Sequence, residues 1–175
     1  MSISVEHFKQ LVLSYKRLKN IYPDTCIAHC TNSTTLREAI ERAALSINSN
    51  GKKHPHQYRL KNNILRSFAD ALLAEQNRIS QISAFDELYE NILSIRPKGI
   101  GELCVYDTAV RIGSFLKISP DKLYLHAGTL TGLNKLSTHQ RKKSLESREL
   151  PALLKEADLS FYEMEDFLCI FKNEF

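Results

Sequence analysis

The stretch RPKGIGELCVYDTAVRIGSFL, residues 96–116, decides how the chain is read. Two glycines flank Ile100, with Pro97 and Lys98 ahead of them and an amphipathic run behind. Gly99 and Gly101 can take positive φ cheaply, so the backbone can reverse within a few residues. Ile100 is expected to plug the gap between the two helices so joined. The amides of the turn and of the following helix start then point outward together. Such an array, aided by the helix dipole, holds one anionic oxygen group, and Lys98 adds charge beside it. Glycine suits this chemistry because a Cβ would hold a phosphate away from the backbone. The same turn is also a plain way to join two packed helices, so a phosphate cradle and a packing corner both stay open.

Working outward from the corner, the periodicity is helical almost everywhere. Upstream, Ser83 to Ser94 carries Phe85, Leu88, Tyr89 and Ile92 on one face, with Asp86 at its positive end. Before it, Tyr58 to about Ile79 reads as one long helix. Thr35-Leu36-Arg37-Glu38 has the capping-box pattern and opens a helix to about Asn48. Val5 to Ile21 has apolar residues at helical spacing and is closed by Pro23-Asp24. Downstream, the corner's own helix runs from Leu103 to about Leu116. Ser119-Pro120-Asp121 reads as a helix start, and Leu123-Tyr124-Leu125 as a short helix or an extended piece. Thr138 to Arg148 is polar and expected as an exposed loop or frayed helix. Pro151 opens a short helix, and Ser160-Phe161-Tyr162-Glu163 is a second capping box, followed by the stripe Phe161, Met164, Leu168 and Phe171.

Residues 95–109 resemble a helix-hairpin-helix motif, whose turn is glycine, hydrophobic residue, glycine between two packed helices. The resemblance places Gly99, Ile100 and Gly101 in the hairpin and Lys98 as a phosphate contact. It implies binding to the DNA backbone without reading sequence. Base-excision DNA glycosylases share such a hairpin and add an aspartate beyond its second helix. Here Asp107 follows Gly101 by six positions and falls inside that helix, and Glu102-Leu103-Cys104 offers no lysine nucleophile. No catalytic residue is therefore assigned from the resemblance.

Further stretches carry polar chemistry. Gly51-Lys52-Lys53-His54-Pro55-His56-Gln57-Tyr58-Arg59 leaves a loop and enters a helix; its cations and imidazoles could hold an anion or position a water, or form a basic surface loop. Lys52, Lys53 and Arg59 are the phosphate contacts expected here, and His54, His56 and Gln57 a candidate polar site. His126 in an apolar segment is a core histidine or an acid/base in want of a partner. Asp107 and Arg111, at i and i+4, are spaced to pair on the surface. Cys26, His29 and Cys30 lie within five residues, but a structural zinc needs four ligands and no second paired cluster exists. Buried thiols are the expected reading, with no metal and no cofactor. Gly128-Thr129-Leu130-Thr131-Gly132 lacks the lysine and spacing of a P-loop. The basic run Gln140-Arg141-Lys142-Lys143 is diluted by Glu146 and Glu149 and has no interleaved aromatics, against a single-strand stacking platform.

The 175 residues have a net charge of +4, which permits an anionic partner without demanding one. No 18-residue apolar run is present, so no membrane span is expected. Four scattered cysteines and the absence of a secretory pattern point to reduced thiols in the cytoplasm. The expected fold is all-α, a single domain over 1–175 of about eight helices in a compact array, with residues 49–56 as the place for any seam. The leading functional reading is nucleic-acid backbone binding through the hairpin. The alternative is a non-enzymatic protein-interaction or self-association module with a structural corner. An enzyme combining His56, His126 and Asp107 is the third.

Overall fold

The structure, a computed structural model, describes residues 3–137 and 142–175. The chain divides into two compact units, a middle one of Asp24–Ser119 and a flanking one made of Met1–Pro23 with Pro120–Phe175. Helix accounts for 63% of the structure, so the protein is mostly helical; ten α-helices occur among the described residues, eight of them seven residues or longer. A two-residue pairing of strands qualifies the all-α expectation without changing the class.

In the middle unit, α2 spans Thr25–Thr31 and α3 spans Leu36–Leu45. They are followed by α4 (Asn62–Ala74), α5 (Gln76–Ile79), α6 (Phe85–Ile95) and α7 (Glu102–Leu116). Helix α7 packs against α2, α3 and α6 and is buried at every position from Cys104 to Gly113 except Asp107, which is nearly so. Helix α3 makes this possible: Ala39, Ala43 and Ala44 are fully buried, and their small side chains let α4 and α7 approach on either flank. Apolar residues at the helical period, Phe68 and Leu72 on α4, Leu88 and Ile92 on α6, Val105, Ala109 and Ile112 on α7, complete the core. Gly113 is required by close approach, since a Cβ there would lie 2.5 Å from the Ile118 carbonyl oxygen.

Several expected boundaries shift for identifiable reasons. Thr35 caps α3 as expected, accepting from the Glu38 amide at 3.2 Å. The helix stops at Leu45 rather than Asn48 because Ser46 turns left-handed, at φ 55°. The long helix expected over Tyr58–Ile79 does not form. Tyr58 instead closes a 3-10 turn, Pro55–Gln57, and α4 begins only at Asn62. The Lys53 ammonium donates to the Leu60 carbonyl (2.9 Å) and to Asn62 Oδ1 (2.8 Å), while the Ile64 amide bonds Lys61 instead. The helix then breaks at Glu75, whose amide reaches back to the Leu72 and Leu73 carbonyls.

In the flanking unit, α1 spans Val5–Ile21, as the periodicity requires, capped by Ser4. Strand β1 (Leu123–Tyr124) pairs antiparallel with β2 (Ser144–Leu145), setting Leu123 opposite Leu145. Helices α8 (Ala127–Leu136), α9 (Ala152–Lys155) and α10 (Phe161–Ile170) complete it. The start signal at Ser119-Pro120-Asp121 opens no helix; the segment leads into β1, and the next helix begins after His126. The second capping box is present in full at Ser160 and Glu163. Phe167 is fully buried at the centre of an aromatic cluster, edge-on to Phe8 at 5.5 Å and to Tyr15 at 5.7 Å. Tyr15 donates its hydroxyl to Asp166 Oδ2 at 3.0 Å, and burial together with that carboxylate raises its pKa far above the ordinary value. Gln140 and Arg141 of the basic run lie outside the described residues.

Candidate functional site

The glycine corner joins α6 to α7. Arg96 leaves α6 in an extended conformation, and the Ile100 amide donates to the Pro97 carbonyl at 3.2 Å, closing the turn. Gly99 has φ +100°, a conformation closed to most side chains. Ile100 is 4% exposed and points inward as its composition demands, while Lys98, Gly99 and Gly101 are exposed. Gly101 is the N-cap of α7, with ordinary extended angles (φ −84°, ψ 166°) and no capping side chain. The two glycines differ in what they need. A Cβ on Gly99 would press Ile64 Cδ1 at 3.2 Å, whereas a Cβ on Gly101 would meet nothing within 4 Å.

Further along α7, Asp107 anchors a second polar assembly, built from segments about fifty residues apart. Ser46 ends α3 and the bridge between Ile47 and Lys53 closes the loop that follows. The His54 amide donates to the Ser46 carbonyl at 2.8 Å, which fixes the 3-10 turn over α7. There Asp107 Oδ2 accepts from Gln57 Nε2 at 2.6 Å and from His56 Nδ1 at 3.0 Å, and Arg111 Nη2 stands 3.9 Å away. Gln57 bridges the pair, because its Oε1 accepts from Arg111 Nη2 at 3.3 Å. Arg111 Nη1 donates to Ser46 Oγ at 3.0 Å. His54 Nδ1 accepts from the His56 amide at 3.3 Å, its Nε2 lies 3.6 Å from Asp24 Oδ2, and the two imidazoles meet edge to face at 4.7 Å.

Burial decides the character of this cluster. The Arg111 side chain is 2% exposed and that of Asp107 12%, so the surface pairing expected from their spacing is instead a largely buried ion pair at 3.9 Å, bridged by Gln57. Burial alone would raise the Asp107 pKa, but the His56 hydrogen bond, the Arg111 charge and the Gln57 amide outweigh it and hold the carboxyl below its ordinary value. Burial, then the Arg111 charge, lowers the His54 pKa and favours its neutral ring. The His56 side chain, 41% exposed, is the one member facing solvent substantially.

The cysteines behave as small hydrophobes. Cys26, Cys30 and Cys104 are buried free thiols, and burial pushes Cys30 up to about 12 and Cys104 up to about 11. Of the cations expected to contact phosphate, Lys52 and Arg59 are exposed, Arg59 lying against the Tyr58 ring, while Lys53 is engaged in the turn. His54, His56, Gln57, Asp107 and Arg111 come together; His126 belongs to the flanking unit, where it is the N-cap residue of α8. Asp24, whose Oδ1 caps α2, and Ser46 complete the cluster without a motif to announce them. No family model, curated protein or solved structure matches the chain.

Proposed function

We propose that the protein binds the phosphate backbone of nucleic acid, without base specificity, at the corner between α6 and α7, in the manner of a helix-hairpin-helix element. One observation carries the reading. Gly101 is glycine where neither the backbone angle nor any neighbouring atom requires it, at the uncapped start of a fifteen-residue helix. A missing Cβ there leaves room for a group from outside, and the amides and dipole of a helix N-terminus favour an anion in that room. Lys98 is exposed beside it, and Lys52 and Arg59 are the further cations of the same unit suited to phosphate; Lys53 is not.

The test is fluorescence anisotropy with mixed-sequence duplex and single-stranded DNA across a salt series. The logarithm of the affinity falls linearly with log salt, and Lys98→Glu reduces the slope by about one. Gly101→Asp keeps a favourable N-cap while setting a carboxylate where the phosphate would sit, so folding is retained and binding is lost. Unchanged binding in both variants refutes the proposal.

The alternative, a protein-interaction or self-association module, is favoured by a cavity of 270 Å³ whose apolar lining, Val5, Phe8, Val12, Leu13, Leu153 and Ala157, is bordered by the charged Lys9, Lys16 and Glu156. Val5 and Leu13 are 53% and 47% exposed. Salt-insensitive self-association without DNA affinity selects that reading.

A further inference from the structure

We propose that His54, His56 and Asp107 form a binding site for one divalent transition-metal ion of the zinc type. This stands apart from the nucleic-acid reading. One ligand atom from each of the three residues lies within 4.8 Å of the other two. A tetrahedral zinc with bonds of about 2.0–2.2 Å needs donors about 3.4 Å apart, so the site closes by small rotations of side chains already in place. His56 and Asp107 are at 3.0 Å and must open slightly; His54 must draw in.

The donor chemistry selects the ion. Two imidazoles and one carboxylate suit zinc, cobalt, nickel or copper, and leave a fourth position for water or a ligand. Magnesium and calcium require more oxygen donors than the site supplies. The carboxylates of Asp24 and Asp107 against the Arg111 guanidinium leave one negative charge in the cluster, enough to favour a dication but not a hard, oxygen-seeking one.

The surrounding groups have the roles that outer groups take at metal sites. Asp24 beside His54 Nε2 can hold that ring's N–H while Nδ1 turns to the metal, giving up the weak 3.3 Å contact with the His56 amide. Gln57 fixes the Asp107 carboxylate, and Arg111 is itself held by Ser46 and Gln57. At His56, the hydrogen now donated from Nδ1 to Asp107 moves to Nε2, and the metal takes its place. A ring protonated on both nitrogens instead releases the Nδ1 proton to solvent as the metal binds.

The experiment uses the full chain after chelator treatment. Cobalt(II) titration is followed by visible d–d absorption, and zinc affinity is obtained by competition. Wild type takes up one ion per chain, and magnesium in large excess does not compete. His56→Ala and Asp107→Asn each weaken zinc binding by at least about tenfold. Cys26→Ser and Cys30→Ser leave it unchanged. Should Asp107→Asn fail to fold, imidazole NMR of wild type decides: zinc shifts the resonances of His54 and His56 and spares His7, His29 and His126. Absence of saturable zinc binding, an unaltered affinity in His56→Ala, loss of binding in the cysteine variants, or shifts at the other histidines each overturns the proposal.

Discussion

Replacing Arg111 by methionine should be among the most damaging single changes in the middle unit. Methionine fills much of the same volume but supplies no donor. It strips a guanidinium, 2% exposed, from Asp107 at 3.9 Å, Ser46 Oγ at 3.0 Å and Gln57 Oε1 at 3.3 Å. Removing one partner of a buried ion pair costs about 3–5 kcal/mol, because the remaining charge stays desolvated. His56 and Gln57 still bond the carboxylate, which places the expected loss near the lower bound, about 3 kcal/mol. At a urea dependence of about 2 kcal/mol per molar, the unfolding midpoint falls by about 1.5 M. Far-UV circular dichroism through a urea series measures it. The sharper form is the double variant Arg111→Met with Asp107→Asn, in which no charge is left buried. It should be more stable than the sum of the single losses by about 1–2 kcal/mol. A loss below about 0.5 kcal/mol, the scale of an exposed pair, or strict additivity in the double variant, refutes the account.

Acid should act through the same cluster. The Asp107 pKa is lower folded than unfolded, so its stabilisation is complete above the unfolded value of about 3.9 and is lost as pH falls through the folded one. His54, also lowered in the folded protein, adds a loss that begins as pH falls below about 6.5. Urea midpoints from pH 8 to pH 2 should therefore fall in two stages, and Asp107→Asn should reduce the lower, leaving the part that Glu38, Glu149 and Asp158 contribute. In the flanking unit, a Cβ on Gly132 would lie 2.3 Å from the Leu168 carbonyl oxygen. Gly132→Ala should cost at least about 1 kcal/mol net of its gain in helix propensity, while Gly101→Ala, which meets no neighbour, costs only the poorer N-cap, under about 1 kcal/mol by thermal melting.

What the sequence made legible was local. The period of apolar residues placed α1 from Val5 to Ile21, and the hydroxyl-to-carboxylate spacing placed the start of α10 at Ser160, because both signals are complete within one helix. The glycine corner was legible for the same reason. Tyr58 to Ile79 misled because its apolar spacing is helical, while the groups that break it act through space: Lys53 on the Leu60 carbonyl, and the turn held by His54. The polar cluster was legible only in pieces. His54, His56 and Gln57 drew attention by their chemistry, and Asp107 and Arg111 by their spacing. Nothing along the chain says that fifty intervening residues return one group onto the other, or that Ser46 in a left-handed turn supplies the oxygen for Arg111.

The order of assembly is constrained by the way the two units share the chain. Residues 24–119 are contiguous and can become native as soon as they leave the ribosome, whereas α1 needs Phe167, Asp166 and Leu168, made some 150 residues later. Until then Phe8, Leu11, Val12 and Tyr15 form an oily ridge without its counterpart. A nascent chain stalled before α10 should thus carry a finished middle and an aggregation-prone leader, the state a cellular holdase would seize first.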